Sequence, residues 1–316
     1  MILIRRRVAL CAGAAVALTA CGGDEASDVT SNEPSSEIIA TTSIWADITS
    51  EVVCGASVPA LIPPGADPHT FEPSLRDRET IEDARMIVAN GSDLEGSLID
   101  LLTTAGSANL VEMTPHIDVI VTDGEHDDEH QDDEESGDDD DGHGHGLDAD
   151  PHVWQDPTRV AGALDVIASA GSAIGRPDCS TDYAAELMAL DTEIADLLSD
   201  IPPAQRIMVT SHDSLAYFAD RYGFEIVGTV IPSTNTLAQT NAADLAGLAD
   251  VIEERNVRAI FTEALESTAD ADALAARLDV EVVPLVTDAL TDDPATDTYI
   301  EMMRFNAAEI AGALAP

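Results

Sequence analysis

Histidine and aspartate side chains in short turns are the residues of this sequence that could carry chemistry. Two turns contain the tripeptide Asp-Pro-His and end at His69 and His152, while His212 and Asp288 each follow an apolar segment. Any one of these residues alone would first be interpreted as a helix cap or as part of a hydrogen-bonded turn. Two Asp-Pro-His turns in one chain favour metal binding instead. Proline stiffens the backbone that presents each imidazole, so little entropy is lost when an ion binds.

The four residues lie far apart in the sequence. The spacings from His69 to His152, from there to His212 and from there to Asp288 are 83, 60 and 76 residues. The sequence contains no Cys-x-x-Cys pair and no His-Glu-x-x-His helix, which are the local patterns of zinc sites. Any shared site must therefore be assembled by the fold.

Short apolar runs alternate with helical patterns in both halves of the chain, which predicts βαβ units and mostly parallel sheets. The stretch 181–200 has apolar residues every three to four positions and predicts one long helix, which Pro202-Pro203 ends. The expected fold class is therefore α/β, with two βα lobes joined by one long helix. The predicted strands are 38–42, 58–62 and 86–90 in the first half, and 207–210, 225–230, 259–262 and 280–283 in the second.

The N-terminus has the pattern of an exported lipoprotein. Three arginines precede the apolar run 8–20, which is too short to span a bilayer permanently and is typical of a secretory signal. The run ends in Leu-Thr-Ala-Cys, which resembles a bacterial lipobox with cleavage before Cys21 and acylation of that cysteine. Two or more acyl chains give stable attachment. We therefore expect the folded part to be anchored to the outer face of the cytoplasmic membrane, in a periplasm or at the cell surface.

A stretch of extreme composition interrupts the first half. Residues 123–150 contain fifteen acidic residues, five glycines, four histidines and no arginine. Such a segment cannot offset its ordering entropy by burial, so 123–149 is predicted to be a mobile insert. Its histidines are His126, His130, His143 and His145.

These patterns predict the domain organisation. Residues 1–20 form the signal peptide and 21–37 a flexible tether rich in small and polar residues. The N-terminal lobe spans 38–155 and includes the insert, linking helices span 156–204, and the C-terminal lobe spans 205–316.

The charge balance excludes a nucleic-acid-binding protein. The 316 residues include 14 arginines and no lysine against 61 acidic residues, for a formal charge of -47. A surface that follows phosphates needs clustered cations, which this chain lacks. Besides the acylated Cys21, two cysteines, Cys54 and Cys179, remain in the predicted mature chain. In an exported protein such a pair can form a disulfide, with two buried free thiols as the alternative.

Several longer motifs resemble the zinc/manganese substrate-binding lipoproteins of bacterial ABC importers, the ZnuA-like group. The resemblance runs from about residue 37 to the C-terminus and is interrupted by the acidic insert. It implies two lobes bridged by a rigid helix, with a metal ion held in the cleft between them. The segments that carry it are Gly65–Pro73, Asn90–Glu95, Asp150–Pro157, His212–Phe218 and Tyr299–Asn306.

Within that resemblance, His69 and His152 are the expected ligands from the N-terminal lobe, and His212 and Asp288 those from the C-terminal lobe. Glu263 is expected to support a ligand by hydrogen bonding rather than to bind the ion. An imidazole-rich site suits Zn²⁺, whereas Mn²⁺ recruits more oxygen ligands, so zinc is expected and manganese is the alternative. The histidines of the insert could capture zinc weakly and pass it to the cleft, or the insert could be a solvated spacer.

The function implied is an extracytoplasmic receptor that captures Zn²⁺ and delivers it to a membrane permease. The chain has no lysine and hence no phosphate-binding Gly-x-x-x-x-Gly-Lys element, so energy must come from a partner ATPase subunit. We expect a monomer that is not an enzyme. The alternative from another class is a secreted zinc hydrolase with Glu72 as base. That enzyme would need an open coordination position for water, and four protein ligands leave little room for one.

Overall fold

The computed structural model describes residues 37–105, 107–122, 148–238, 240–264 and 268–316. In this part of the chain, strands and helices alternate through both halves. The strands are β1 (Ile38–Ala40), β2 (Met86–Ala89), β3 (Leu110–Glu112), β4 (Val121–Thr122), β5 (Asp148–Ala149), β6 (Ile207–Thr210), β7 (Glu225–Thr229), β8 (Ala259–Glu263) and β9 (Glu281–Leu285). The helices are α1 (Ser43–Val52), α2 (Leu75–Asp83), α3 (Gly96–Ala105), α4 (Pro157–Ala173), α5 (Ser180–Leu197), α6 (Ala216–Tyr222), α7 (Ala242–Arg255), α8 (Ala269–Leu278) and α9 (Tyr299–Leu314).

The first sheet is parallel and has the strand order β1-β2-β3. Every residue of β1 and β2 is buried, because alternate side chains enter two different apolar clusters on the two faces of the sheet. The predicted strand at 58–62 is reduced to a single bridge between Ala60 and Ala40. Pro59 has no N–H to donate to a ladder, and Pro63-Pro64 ends the segment.

The second sheet is also parallel and has the strand order β7-β6-β8-β9. The chain places β7 on one side of β6 and then crosses to place β8 on the other side. This reversal creates a crevice at the carboxyl ends of the central strands, which is where open α/β sheets bind ligands. His212 lies two residues beyond β6, Glu263 ends β8, and Asp288 lies three residues beyond β9. The predicted α/β class with parallel sheets is therefore confirmed.

A layer of helices packs both sheets into one continuous apolar core. This core contains side chains of α1, α4, α5 and α9 together with residues from both sheets. The long helix predicted at 181–200 corresponds to α5, followed by a short 3-10 turn at Leu198–Asp200. Its apolar stripe is buried as the pattern predicts, except that Leu197 is 43% exposed and Leu198 is buried in its place.

The segment before α4 is positioned by its sequence. His152 precedes a 3-10 turn at Val153–Gln155, and Asp156 then caps α4 by accepting a hydrogen bond from the backbone N–H of Thr158. Pro157 takes the first helical position, where its missing N–H costs nothing. The turn that carries His152 is thus fixed at the start of a long buried helix.

Several predicted features lie outside the described residues: the signal peptide, Cys21, the tether as far as residue 36, and the insert with His126, His130, His143 and His145. The residues that flank the insert form an antiparallel pair, β4 with β5. Within the ranges that the structure describes, no helix combines the length and apolar character needed to cross a lipid bilayer.

Candidate metal centre

The structure brings His69, His152, His212 and Asp288 together. One ligand atom from each lies within 4.8 Å of the others, and all four side chains are buried. The Nε2 atoms of His152 and His212 are 3.4 Å apart. A tetrahedral ion with bonds of about 2.1 Å requires neighbouring ligand atoms about 3.4 Å apart, so the geometry matches that of a single bound ion.

Asp288 completes the cluster. Its Oδ2 lies 3.5 Å from Nε2 of His212 and 3.7 Å from Nε2 of His69, and its Oδ1 lies 3.8 Å from Nε2 of His152. Neither carboxylate oxygen of Asp288 has a hydrogen-bond donor, although both are buried. Buried polar atoms without a partner are costly, and a cation among them would remove that cost.

Asp150 orients the ring of His152. One carboxylate oxygen, Oδ1, accepts hydrogen bonds both from the backbone N–H of His152 at 2.9 Å and from its ring Nδ1 at 2.8 Å. A proton held on Nδ1 leaves the lone pair of Nε2 directed at the cluster. Burial lowers the pKa of His152, but the charge and hydrogen bond of Asp150 outweigh it and raise that pKa above its usual value.

Glu263 gives His212 the same support. Its Oε1 lies 3.1 Å from Nδ1 of His212, and the hydroxyl of Ser214 donates to that oxygen at 2.8 Å. Burial alone would raise the pKa of Glu263, but His212 and neighbouring hydrogen bonds lower it to about 2. The carboxylate is therefore ionised and points at the ring nitrogen that faces away from the cluster.

Burial raises the pKa of Asp288 to about 8, and the negative charge of Glu263 adds to the effect. Without an ion, Asp288 therefore holds a proton at neutral pH. Binding of a cation must displace this proton, since only the ionised carboxylate is a good ligand.

His69 differs from the other two histidines. Neither of its ring nitrogens has a hydrogen-bond partner, although the side chain is buried. Burial, together with the neighbouring His152 and His212, lowers its pKa to about 3, so the ring is neutral at physiological pH. A neutral ring with an available lone pair is the form that binds metal ions.

A hydrogen-bond network fixes the backbone around His152 and Asp288. Asn90 donates from Nδ2 to the carbonyl of Pro151 at 2.8 Å and accepts from the indole N–H of Trp45. Trp154 donates from its indole to the carbonyl of Thr287 at 2.7 Å and so joins the segment of His152 to the segment of Asp288. These contacts connect the segment of Asn90 with the segment that follows Asp150.

The C-terminal motif has a similar role. The hydroxyl of Tyr299 donates to the carbonyl of Trp154 at 2.6 Å. Asn306 forms two hydrogen bonds with the backbone of Val286, two residues before Asp288. The α9 helix therefore holds the segment that presents Asp288.

Sequence reasoning identified the four clustered residues and Glu263 but did not assign a role to Asp150. The signal was present, because an aspartate two residues before a histidine can reach both its backbone and its ring. Such an aspartate is also common as a simple turn residue, so the tripeptide alone could not distinguish the two roles.

The structure also joins Cys54 to Cys179 as a disulfide, with the two Cα atoms 5.3 Å apart. The bond connects the end of α1 with the start of α5, and the backbone N–H of Cys179 also donates to the carbonyl of Val52. The cysteines therefore strengthen the attachment of α1 to α5 and are not members of the cluster.

Comparison with known proteins gives one consistent result. The profile of the family described as "Zinc-uptake complex component A periplasmic" matches residues 38–313. The chain is 28% identical over 304 residues to a manganese-binding lipoprotein of Halalkalibacterium halodurans, covering 92% of this chain and 93% of the relative. It is 26% identical over 328 residues to the zinc-binding protein TroA of Treponema pallidum, covering 99% and 100% of the two chains.

Solved structures agree on the fold. The periplasmic zinc-binding protein TroA of Treponema pallidum superimposes with a TM-score of 0.73 at 24% identity, covering 88% of this chain and 99% of that chain. A manganese-bound periplasmic metal-binding protein of Candidatus Liberibacter asiaticus gives a TM-score of 0.72 at 20% identity, covering 88% and 98%. The two-lobe α/β architecture is therefore shared with these proteins.

Proposed function

Because the chain belongs to the family of periplasmic zinc-uptake complex A components, we propose that it captures Zn²⁺ outside the cytoplasm and delivers it to a membrane permease. The family consists of the metal-binding substrate receptors of ABC importers and not of enzymes. The alternative of a secreted zinc hydrolase is therefore excluded. The observation that carries the choice of cargo is the buried cluster of three imidazole nitrogens and one carboxylate.

The ligands in this proposal are His69, His152, His212 and Asp288. Support comes from their spacing, which fits one tetrahedral ion, and from the unpartnered oxygens of Asp288. Glu263 does not bind the ion in this assignment, because its Oε1 faces Nδ1 of His212, the ring nitrogen directed away from the cluster.

Zinc is preferred over manganese because of the donor set. Three nitrogens and one oxygen in a near-tetrahedral arrangement suit Zn²⁺, whereas Mn²⁺ takes a larger number of ligands, most of them oxygens. Manganese remains the second candidate for a specific reason. Both oxygens of Asp288 lie within 3.8 Å of ring nitrogens, so the same cluster fits a five-coordinate ion that contacts both oxygens. In addition, two of the relatives are named as manganese-binding lipoproteins.

Membership of the family also supports a proposal for the partners and the location of the protein. The receptor would act with permease and ATPase subunits of an importer and would bind no nucleic acid. In our proposal the chain is a monomer, with residues 1–20 removed, Cys21 acylated and residues 21–37 serving as the tether. In the same proposal the two lobes span residues 38–155 and 205–316, and residues 156–204 link them. The proposed position is the outer face of the cytoplasmic membrane.

The histidines of the insert have an auxiliary role in the proposal. The chain enters and leaves the insert through β4 and β5, and β5 ends one residue before Asp150. Weak capture of zinc by His126, His130, His143 and His145 would raise the local concentration of the ion close to the ligand turn. A solvated spacer without metal affinity is the competing interpretation of this segment.

Metal analysis of the purified protein tests the proposal. We expect one tightly held Zn²⁺ per chain that excess Mn²⁺ does not displace. The variant His212→Ala should lose this ion, and His116→Ala is the matched control because His116 is exposed and does not belong to the cluster. Retention of the ion in variants lacking any of the three clustered histidines would refute the assignment, and displacement by equimolar Mn²⁺ would identify manganese as the cargo.

A further inference from the structure

The turn that carries His69 is attached to the rest of the molecule differently from the other ligand segments. The segments of His152 and Asp288 are tied together through Trp154 and Thr287, and Asn306 fixes the backbone before Asp288. The rings of His152 and His212 are also oriented by carboxylates, whereas no side chain orients the ring of His69. The position of His69 therefore depends on its backbone.

Asp67 supplies that backbone support. Its Oδ1 accepts a hydrogen bond from the backbone N–H of His69 at 2.8 Å. Its Oδ2 accepts from the hydroxyl of Thr236 at 2.8 Å, although the two residues are 169 positions apart. One half-buried carboxylate thus fixes the backbone of a ligand from one lobe and contacts a loop of the other lobe.

The loop that carries Thr236 is itself attached to the segment of another ligand. The carbonyl of Ser233 accepts a hydrogen bond from the backbone N–H of Asp213, the residue after His212, at 3.0 Å. The backbone N–H of Ile231 donates to the carbonyl of Ser211, the residue before His212, at 2.7 Å. The Asp67–Thr236 contact therefore connects the supports of His69 and His212.

A second contact between the same lobes lies nearby. The backbone N–H of Gly65 donates to the carbonyl of Leu290 at 2.8 Å, two residues beyond Asp288. Pro68 stands between Asp67 and His69 and limits the backbone freedom of the turn. The turn is therefore a stiff unit that can move as a whole once its attachments to the C-terminal lobe are broken.

We infer that the hydrogen bond between Asp67 and Thr236 is a clasp that keeps His69 on the bound ion and sets the rate at which the ion leaves. The inference rests on the proposed function for the identity of the bound ion. The hydrogen bonds that form the clasp do not depend on that proposal. His69 is the first ligand to withdraw, since carboxylates hold the rings of His152 and His212 and Asn306 holds the backbone just before Asp288. Asp67 and Thr236 are positioning residues, because neither reaches the ion.

The test removes the clasp without touching a ligand. Thr236→Val keeps the shape of the side chain and deletes the donor, and Thr236→Ser restores the hydroxyl. Thr240→Val is the matched control, because the hydroxyl of Thr240 donates to the carbonyl of Val230 and not to the turn of His69. The full chain is loaded with Zn²⁺ alone, and release is followed after addition of excess chelator. Hydrogen–deuterium exchange of residues 63–73 is measured in the metal-free protein.

Loss of one hydrogen bond should accelerate zinc release about 3- to 10-fold in Thr236→Val and speed exchange of residues 63–73, with Thr236→Ser and Thr240→Val both close to the wild type. The clasp would be overturned if Thr236→Val released zinc at the wild-type rate or if Thr240→Val accelerated release equally. It would also be overturned if the exchange of residues 63–73 did not change in Thr236→Val. If the wild-type protein binds no zinc, the proposed function fails. The exchange measurement on metal-free protein still decides whether the clasp holds the turn.

Discussion

The ring nitrogens Nε2 of His152 and His212 face each other at 3.4 Å in a site closed to solvent. Two lone pairs at this distance repel each other unless a proton or a cation lies between them. Both rings receive a carboxylate on the opposite nitrogen, which favours a proton there rather than on Nε2. The protein thus holds two nitrogen lone pairs so close together that they repel each other, and a metal ion bound between them would remove this repulsion.

The first prediction concerns Asp150. Asp150→Asn keeps an acceptor for the ring Nδ1 of His152 but removes the charge, so the ring becomes a poorer ligand. Zinc affinity should fall about 10- to 100-fold, measured by competition with a chromophoric chelator. Asp118→Asn is the control, because that side chain is fully exposed. An affinity equal to that of the wild type would show that Asp150 serves only the turn.

The second prediction concerns the pH dependence of metal binding. The pKa of Asp288 is raised to about 8, and the pKa of His152 is raised as well. Asp288 must lose a proton when the ion binds at neutral pH, so zinc affinity should rise as the pH increases from about 6 to 8. Calorimetry in buffers of different ionisation enthalpy should show proton release at pH 7.

The control for this experiment is Asp288→Asn, which should release about one proton fewer because the substituted side chain does not titrate. His69 contributes nothing to the effect in this range, since its pKa is lowered to about 3. Zinc binding without proton uptake or release at pH 7 would contradict the prediction.

The locations of the four clustered residues could be predicted, but the contacts that support them could not. Alternating apolar and helical patterns place His212 and Asp288 after parallel strands, and the carboxyl ends of such strands meet at one edge. Only the family resemblance indicated that the two lobes share one site. The contact between Asp67 and Thr236 has no local signal, because it depends on how two loops 169 residues apart approach each other.

The predicted strand at 58–62 shows a further limit of prediction from sequence patterns. Its largest apolar residues, Leu61 and Ile62, are buried as expected, but Pro59 removes a ladder donor, and only Ala60 forms a bridge. The segment instead leads directly into the Pro-Gly turn of His69. Apolar periodicity identifies burial here, while Pro59 limits how much of the segment can pair with β1.

The third prediction concerns the disulfide. Cys54 and Cys179 are separated by 125 residues, so the bond restricts a long loop of the unfolded chain. The double variant Cys54→Ser/Cys179→Ser should lose about 2 to 5 kcal/mol of the free energy of unfolding, measured by urea titration of the metal-free protein. Zinc stoichiometry should remain one per chain, since neither cysteine belongs to the cluster. The wild type in reducing buffer should match the variant.

The fourth prediction concerns Asp47, whose carboxylate accepts from the backbone N–H of Tyr299 at the start of α9. Burial raises its pKa from 3.8 to about 6, and the charges of Glu51 and Asp297 add to the effect. The folded state therefore binds the proton more tightly than the unfolded state. This contribution to stability is present below about pH 4 and is lost as the pH rises through about 6.

Asp47→Asn keeps the acceptor for Tyr299 and removes the titration. The difference in the free energy of unfolding, variant minus wild type, should increase by about 1 to 3 kcal/mol from pH 4 to pH 7. Urea titrations of metal-free protein at several pH values measure the difference. Parallel stability curves for the two proteins across this interval would contradict the assignment.

The unbroken apolar core beneath the ligand cluster limits what a bound ion can change. The helices α1, α4, α5 and α9 pack against both sheets and form one apolar interior with them. Moving the two lobes far apart would break this close packing and expose apolar side chains to water. We therefore expect metal binding to change the conformation of loops of a few residues rather than the relative position of the two lobes. A permease that contacts this receptor must distinguish full from empty by the conformation of those loops.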